Sequence, residues 1–475
     1  MQNSKLLQLL QGLDAKGLRR FGEYLDSPLF NKHIEIRLFY HRIRREAPGF
    51  DAESLQRNQI WTELFPDSEF DEARFGHLQS FTLKLAESWL GLENWLKDEQ
   101  LPEIYKLDEL NNRDLDKHYR LQQQKVGAML TTNRLRNDQH YQKKLMLADV
   151  QSRFFAKKRL RSYDSSLQEA VDALDVFYII RKLRLSCELI NRQNIISASY
   201  DMKLVDELAG FIYRYGFDSV PAVAIYHRIL LLLTNPENEQ HFADLGSLLH
   251  EHAGILSQSE LSEVYAYARN FCIARVKEGK QQYLGNLFRM YKTSLESGLL
   301  YGGEPLSPWN YKNIASVALR LGEFEWTRDF IARCRDFLSP EYRENAYAYN
   351  LANLHYHEGR HSEALKILSQ VEFSDVFYSL DTRKMMLRIY FEQRENEPLH
   401  SLIASFRIFL KRNKLVADVH RKAYLNFVDG VAILQKAREA RNGKWKNITE
   451  KLEALQPIVD EDWLILAAGG NLMKN

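Results

Sequence analysis

The chain is poor in the residues that turn a backbone. It has 22 glycines and 11 prolines in 475 residues, roughly 5% and 2% against the usual ~7% and ~5%. Sandwiches and barrels need turns at short intervals, so both are disfavoured. Between Pro102 and Pro221 there is no proline at all, and only Gly127, Gly210 and Gly216 interrupt. Nothing in that stretch removes a backbone donor or clashes with a preceding turn, which predicts long helices. Cysteine is scarcer still. Cys187, Cys272 and Cys334 are far apart and odd in number, with neither a disulfide framework nor zinc-ligand spacing. Neither sign of charge is in surplus, with 65 Lys and Arg against 63 Asp and Glu. No global field therefore draws the protein to nucleic acid or to a membrane surface. The apolar run at residues 229–233, like every other in the chain, falls far short of a membrane span. The run at 6–10 is too short for the core of a signal peptide. These absences predict a cytoplasmic protein with no membrane partner.

What is present is a helical pattern. The composition, 45% hydrophobic and 27% charged, is ample for a core. Asn235-Pro236, Ser307-Pro308 and Ser339-Pro340 each set a capping residue before a proline, as at a helix start. Strand-type alternation is scarce, so the fold class is all-α. Residues 1–103 read as a compact helical module, with stripes Leu18, Phe21 and Leu25, then Ile36, Phe39 and Ile43, then Phe75, Leu78 and Trp89. Its short helix, turn and long helix from Gln59 to Leu90 resemble the helical half of a winged-helix DNA-binding domain. No strand pair follows, however, and residues 71–95 set Arg74 and Lys84 against four acids.

Charge is unevenly distributed. Residues 46–110 hold fifteen acids and five bases, whereas 113–161 hold thirteen bases and four acids with Tyr119, Tyr141, Phe154 and Phe155 interleaved. Basic helices with aromatics could grip phosphates and stack unpaired bases. The plainer reading is that the two stretches dock on each other, because the overall charge is neutral. We read 104–165 as long basic helices serving as linker or docking segment, with nucleic-acid binding through 113–161 as the alternative function.

Downstream the sequence repeats. Eight residues before Gly279, Gly322 and Gly359 stand Phe271, Ile314 and Leu351, and next to these the small Cys272, Ala315 and Ala352. Leu284, Thr327 and Ala364 follow the glycines by five; Phe288, Ile331 and Leu368 by nine; Tyr291, Cys334 and Val371 by twelve. A fourth unit fits with Arg394 in the glycine slot, carrying Met386, Leu387, Leu399, Ile403 and Phe406. A small residue beside a large one lets a second helix approach, and the glycine ends the first helix in a left-handed conformation. Each unit is then a hairpin that cannot cover its own apolar face, so neighbours must stack. Anchor spacings of 43, 37 and 35 residues sit just above a 34-residue period.

With Ala348-Tyr349-Asn350-Leu351-Ala352-Asn353-Leu354, Gly359 and Ala364-Leu365 as its best unit, the sequence resembles the tetratricopeptide-repeat family over residues 265–410. The resemblance implies an α-solenoid of stacked antiparallel helix hairpins, which we extend over 166–440. Capping helices follow at 441–475, where 445–455 would partner the stripe Tyr424, Phe427, Val431 and Leu434. It also implies a concave face, lined by first helices, that binds peptides or partner segments. Carried over unit by unit, that face holds Arg269, Asn270 and Lys277, then Lys312, Asn313, Ser316 and Arg320. It continues through Tyr349, Asn350, Asn353, Tyr356 and His357 to Lys384 and Arg388. Lys and Arg there could meet carboxylates and asparagine could bond a peptide backbone, so the expected partner is a protein or peptide with an acidic or carboxylate-ended segment. Asparagines that merely bond the adjacent turn are the plainer alternative.

Chemistry-bearing motifs are missing. His355 and His357 would point about 200° apart on a helix, and Gly359 would break it before His361. His250-Glu251-His252 fails as a metal site for the same reason. Gly302-Gly303-Glu304 lacks the lysine and helix of a phosphate loop, and Gly469-Gly470 stands near the terminus. We therefore expect no catalytic residues, metal or cofactor, and a non-enzymatic protein-binding adaptor.

Overall fold

The computed structural model of the chain describes residues 1, 4–51, 53–159, 162–195, 199–301, 305–370, 376–413, 416–439 and 448–469. Among them are 23 α-helices, three short 3-10 turns and no strand. The all-α expectation holds. Residues group into two compact units, Met1–Lys182 and Leu183–Asn475, with the division falling inside one long helix.

In the first unit, Ser4 and Asp14 cap α1 (Lys5–Gln11) and α2 (Ala15–Asp26) by accepting backbone N–H bonds in the first turn. With α3 (Ile34–Arg44), α4 (Arg57–Leu64) and α5 (Glu72–Leu96) they enclose one core. The sequence stripes supply it: Leu18, Phe21, Leu25, Ile36, Phe39, Ile43, Phe75, Leu78 and Trp89 are all buried, and Trp61 of α4 joins them. The chain leaves α5 for another helix, α6 (Leu101–Asn112), where a winged-helix domain would turn to strands. A second core, with Ile104, Leu107, Tyr119, Val126, Leu130, Leu147 and Val150, joins α6 to α7 (Asp116–Thr132) and α8 (Asp138–Lys157). The dividing helix is α9 (Ser165–Ile195).

The second unit is a succession of helix pairs. After α10 (Val205–Arg214) come α11 (Pro221–Thr234) with α12 (Gln240–His252) and α13 (Gln258–Lys277) with α14 (Gln282–Glu296). Next are α15 (Pro308–Arg320) with α16 (Phe324–Arg333), and α17 (Pro340–His357) with α18 (His361–Gln370). Then follow α19 (Val376–Glu392) with α20 (Asn396–Arg412), and α21 (Asp418–Glu439) with α22 (Ile448–Glu453) and α23 (Glu461–Ala468). Pro221, Pro308 and Pro340 open their helices, but Pro236 lies in a turn and α12 begins only at Gln240. Ser307 and Ser339 stand at N-cap positions without a side-chain cap bond, while Ser257 and Glu260 form a complete capping box on α13.

The repeat register reappears in the backbone. Gly279, Gly322 and Gly359 have φ of 87°, 77° and 76°, and Arg394 in the fourth slot has φ of 58°. At each, the following N–H reaches back five residues: Lys280 to Arg275 O (3.0 Å), Glu323 to Ala318 O (3.0 Å), Arg360 to His355 O (2.8 Å) and Glu395 to Tyr390 O (3.0 Å). This is the Schellman closure, repeated four times. Cys272, Ala315, Ala352 and Leu387 are fully buried, as are Thr327, Ala364 and Leu399 on the second helices. The second helices α14, α16, α18 and α20 each pack on the next first helix, and α15, α17, α19 and α21 also touch in a row. The end of the row is closed by α22 and α23, which bury Ile448, Leu452, Trp463 and Leu464 against Phe427, Val431 and Leu434 of α21. Gly430 permits that approach, since a Cβ there would lie 3.1 Å from Leu452 Cδ2. Val371, residues 302–304, Trp445 and Gly470 lie outside the described residues.

Candidate functional site

The twelve residues expected on the binding face divide by depth. Asn270 and Lys277 of α13 and Asn313 and Arg320 of α15 are exposed. In each pair the residues are seven apart, two turns along one helix face. Tyr349 (6% exposed), Asn350 (0%), Asn353 (8%) and Tyr356 (9%) are interior instead, which corrects the expectation that α17 offers them to a partner. The cause is the row itself: α15 and α19 both pack on α17 and cover that stripe. Asn350 Nδ2 donates to Ala346 O (2.8 Å), a bond to the preceding turn of its own helix. Arg269 is half-buried, donates to Ser294 Oγ (3.0 Å) and lies over the Tyr291 ring.

The remaining three, Lys312, Lys384 and Arg388, come together around two carboxylates that the sequence reading left out. Asp381 sits one turn before Lys384 on α19. It receives Lys312 Nζ (2.6 Å) and the Tyr424 hydroxyl (2.7 Å), with Lys384 Nζ at 3.8 Å. Asp460, just before α23, takes Arg388 (2.9 Å) and Lys384 (3.7 Å). Burial alone would raise both carboxyls, but Lys384 and Lys312 at Asp381, and Lys384 and Arg388 at Asp460, hold them below the ordinary value.

Aromatic groups enclose the cations. Arg388 donates to the Tyr356 hydroxyl (2.8 Å) and lies over the Tyr356 and Trp463 rings, and Lys312 lies over Trp309. Glu392 accepts from Tyr356 (2.6 Å) and from Trp463 Nε1 (2.7 Å). His357 is kept neutral by burial and by Arg388, its pKa pushed down to about 4. Spacing could have revealed Asp381, three residues before Lys384. Nothing local announces Asp460, which is brought in by packing from 72 residues beyond Arg388.

The histidines of 355–361 are occupied separately: His355 stands 3.6 Å from Glu358, and His361 stands 3.8 Å from Glu392. Among the described residues no group of three His, Cys, Asp or Glu is arranged to hold a metal ion. No described helix is long and apolar enough to cross a membrane.

In the first unit, much of the basic stretch meets carboxylates. Lys125 pairs with Glu103 (2.9 Å), Lys143 with Asp98 (2.6 Å) and Arg153 with Asp108 (2.9 Å). Lys157 and Lys158 take Asp114 and Asp116. Tyr119 and Phe154 stack on each other at 4.0 Å as part of the interior.

Comparison with known proteins leaves the geometry to speak for itself, since no family model, no curated protein and no solved structure matches the chain.

Proposed function

We propose that the protein is a non-enzymatic adaptor, an α-solenoid of tetratricopeptide-like hairpins whose first helices receive an acidic or carboxylate-ended segment of a partner protein. One observation carries this reading. Lys384 and Arg388 of α19 already hold the carboxylate of Asp460, delivered by a segment remote in sequence. A face with that chemistry, continued outward by Asn270, Lys277, Asn313 and Arg320, suits a second carboxylate-bearing segment. Trp309, 38% exposed on α15, adds an aromatic surface beside it. The buried residues Tyr349, Asn350, Asn353 and Tyr356 support the face from within. Lys312, Lys384 and Arg388 serve it as framework, because their charges are already answered.

Nucleic-acid binding through 113–161 has less support. Arg113, Lys125, Lys143, Arg153, Lys157 and Lys158 are each paired with a carboxylate, and Arg136 donates to main-chain carbonyls. Affinity purification of the tagged full-length protein from its own cells, with and without nuclease, tests the choice. The adaptor reading expects a protein partner retained after nuclease treatment. Loss of every co-purifying component on nuclease treatment overturns it.

A further inference from the structure

A slot of about 350 Å³ opens in the first unit and is lined from α7, α8 and α9. Its main wall is one stripe of α8, where His140, Lys144, Leu147 and Gln151 follow at intervals of four, three and four residues. Gly127, Leu130 and Thr131 line it from α7, Arg136 from the turn before α8, and Glu169 from α9. Leu130 and Leu147 make an apolar floor. Gln151 stands roughly 16 Å along the helix axis from His140.

Two cations and one acid line this slot, and among the described residues Glu169, exposed on α9, forms no ion pair with either Lys144 or Arg136. Lys144 has no ion pair and no hydrogen bond among the described residues, whereas its neighbour Lys143 is held by Asp98 at 2.6 Å. Arg136 is fixed by donating to Leu135 O (2.8 Å) and Thr131 O (3.0 Å), bonds that position the guanidinium without neutralising it. Asp138, the nearest acid on α8, pairs with Arg181 (3.1 Å). Between the two cations His140 is only 8% exposed, and its Nδ1 has no hydrogen-bond partner. Burial, then Arg136, Lys144 and Lys143, push its pKa down to about 4. The start of α8 adds the positive end of a helix dipole. A dianion would answer both cations at once, and a monocarboxylate only one.

We propose that this slot binds a small phosphate monoester, with the phosphate on Lys144 and Arg136 and the carbon body over Leu130 and Leu147. The volume sits at the lower end of the range for small-molecule sites, so a nucleotide- or sugar-phosphate-sized molecule fits better than a polymer strand. This site is independent of the adaptor face, which lies in the other unit.

Titration of the full-length protein with AMP and with inorganic phosphate, followed by calorimetry and by the His140 ring resonances, tests it. Saturable AMP binding that shifts those resonances is expected, with weaker binding of inorganic phosphate at the same place. Lys144→Gln should weaken AMP roughly tenfold, and Lys117→Gln, elsewhere on the basic stretch, should leave it unchanged. A Cβ at Gly127 meets nothing within 4 Å, so Gly127→Leu should fill the slot and abolish binding while the helix content is kept. The proposal is overturned by no saturation at millimolar AMP, by equal affinity in Lys144→Gln, or by an oligonucleotide binding where AMP does not.

Discussion

Asp381, which the sequence reading did not select, ties together Lys312, Lys384 and Tyr424 in the interior of the second unit. Two lysines and a tyrosine converge on one buried carboxylate, so removing it strands the half-buried Lys312 and leaves Lys384 with Asp460 alone, at 3.7 Å. Asp381→Ala is expected to cost about 3–5 kcal/mol, the usual range for breaking a buried pair, read by chemical denaturation. Lys277→Ala, on the surface, should stay within about 0.5 kcal/mol of the parent. Acid should find the same weakness. The carboxyls of Asp381 and Asp460 are held below their ordinary value in the folded chain. The stability they supply is therefore complete above about pH 4 and lost as pH falls through their folded-state values. Denaturation midpoints measured from pH 6 downward should drop below about pH 4, and the drop should be shallower in Asp460→Asn. An unchanged slope in that variant would contradict the assignment.

At the scale of the helix pair, the glycine slot governs closure. Gly322 at φ 77° has no left-handed penalty, whereas Arg394 occupies the same slot at φ 58° with a side chain. A left-handed L-residue costs roughly 1–2 kcal/mol, and glycine loses roughly 0.5–1 kcal/mol of that advantage through its freer unfolded chain. Arg394→Gly should therefore stabilise by about 0.5–1 kcal/mol, and Gly322→Ala destabilise by about 1 kcal/mol; thermal unfolding of the pair measures both. Opposite signs would overturn the register. This register was legible in the sequence because each slot needs a specific backbone conformation and each core position a specific size, as Gly279, Ala315 and Ala352 illustrate. The depth of the face was not legible. Periodicity gives the side of α17 that carries Tyr349, Asn353 and Tyr356, but α15 and α19 decide whether that side meets water. Asp460 was illegible for a related reason, since only packing of α22 and α23 on α21 delivers it.

Across the whole molecule, near-neutral charge conceals local compensation. The acids Asp98, Glu103 and Asp108 meet the bases Lys143, Lys125 and Arg153 within the first unit, so a substantial part of the basic stretch is already answered by carboxylates. At low ionic strength, where phosphate contacts are strongest, the full-length protein should not retard single- or double-stranded oligonucleotides in a mobility shift. Clear, salt-sensitive retardation would restore the nucleic-acid reading. The partner face is tested most directly by paired charge reversal in the full chain. Lys277→Glu with Arg320→Glu alters the exposed edge of the face, and Lys117→Glu with Arg120→Glu alters exposed bases of the other unit. With unfolding midpoints unchanged in both, the adaptor account expects the first pair to lose the co-purifying protein and the second to keep it. Full recovery with the first pair, or loss only with the second, would contradict it.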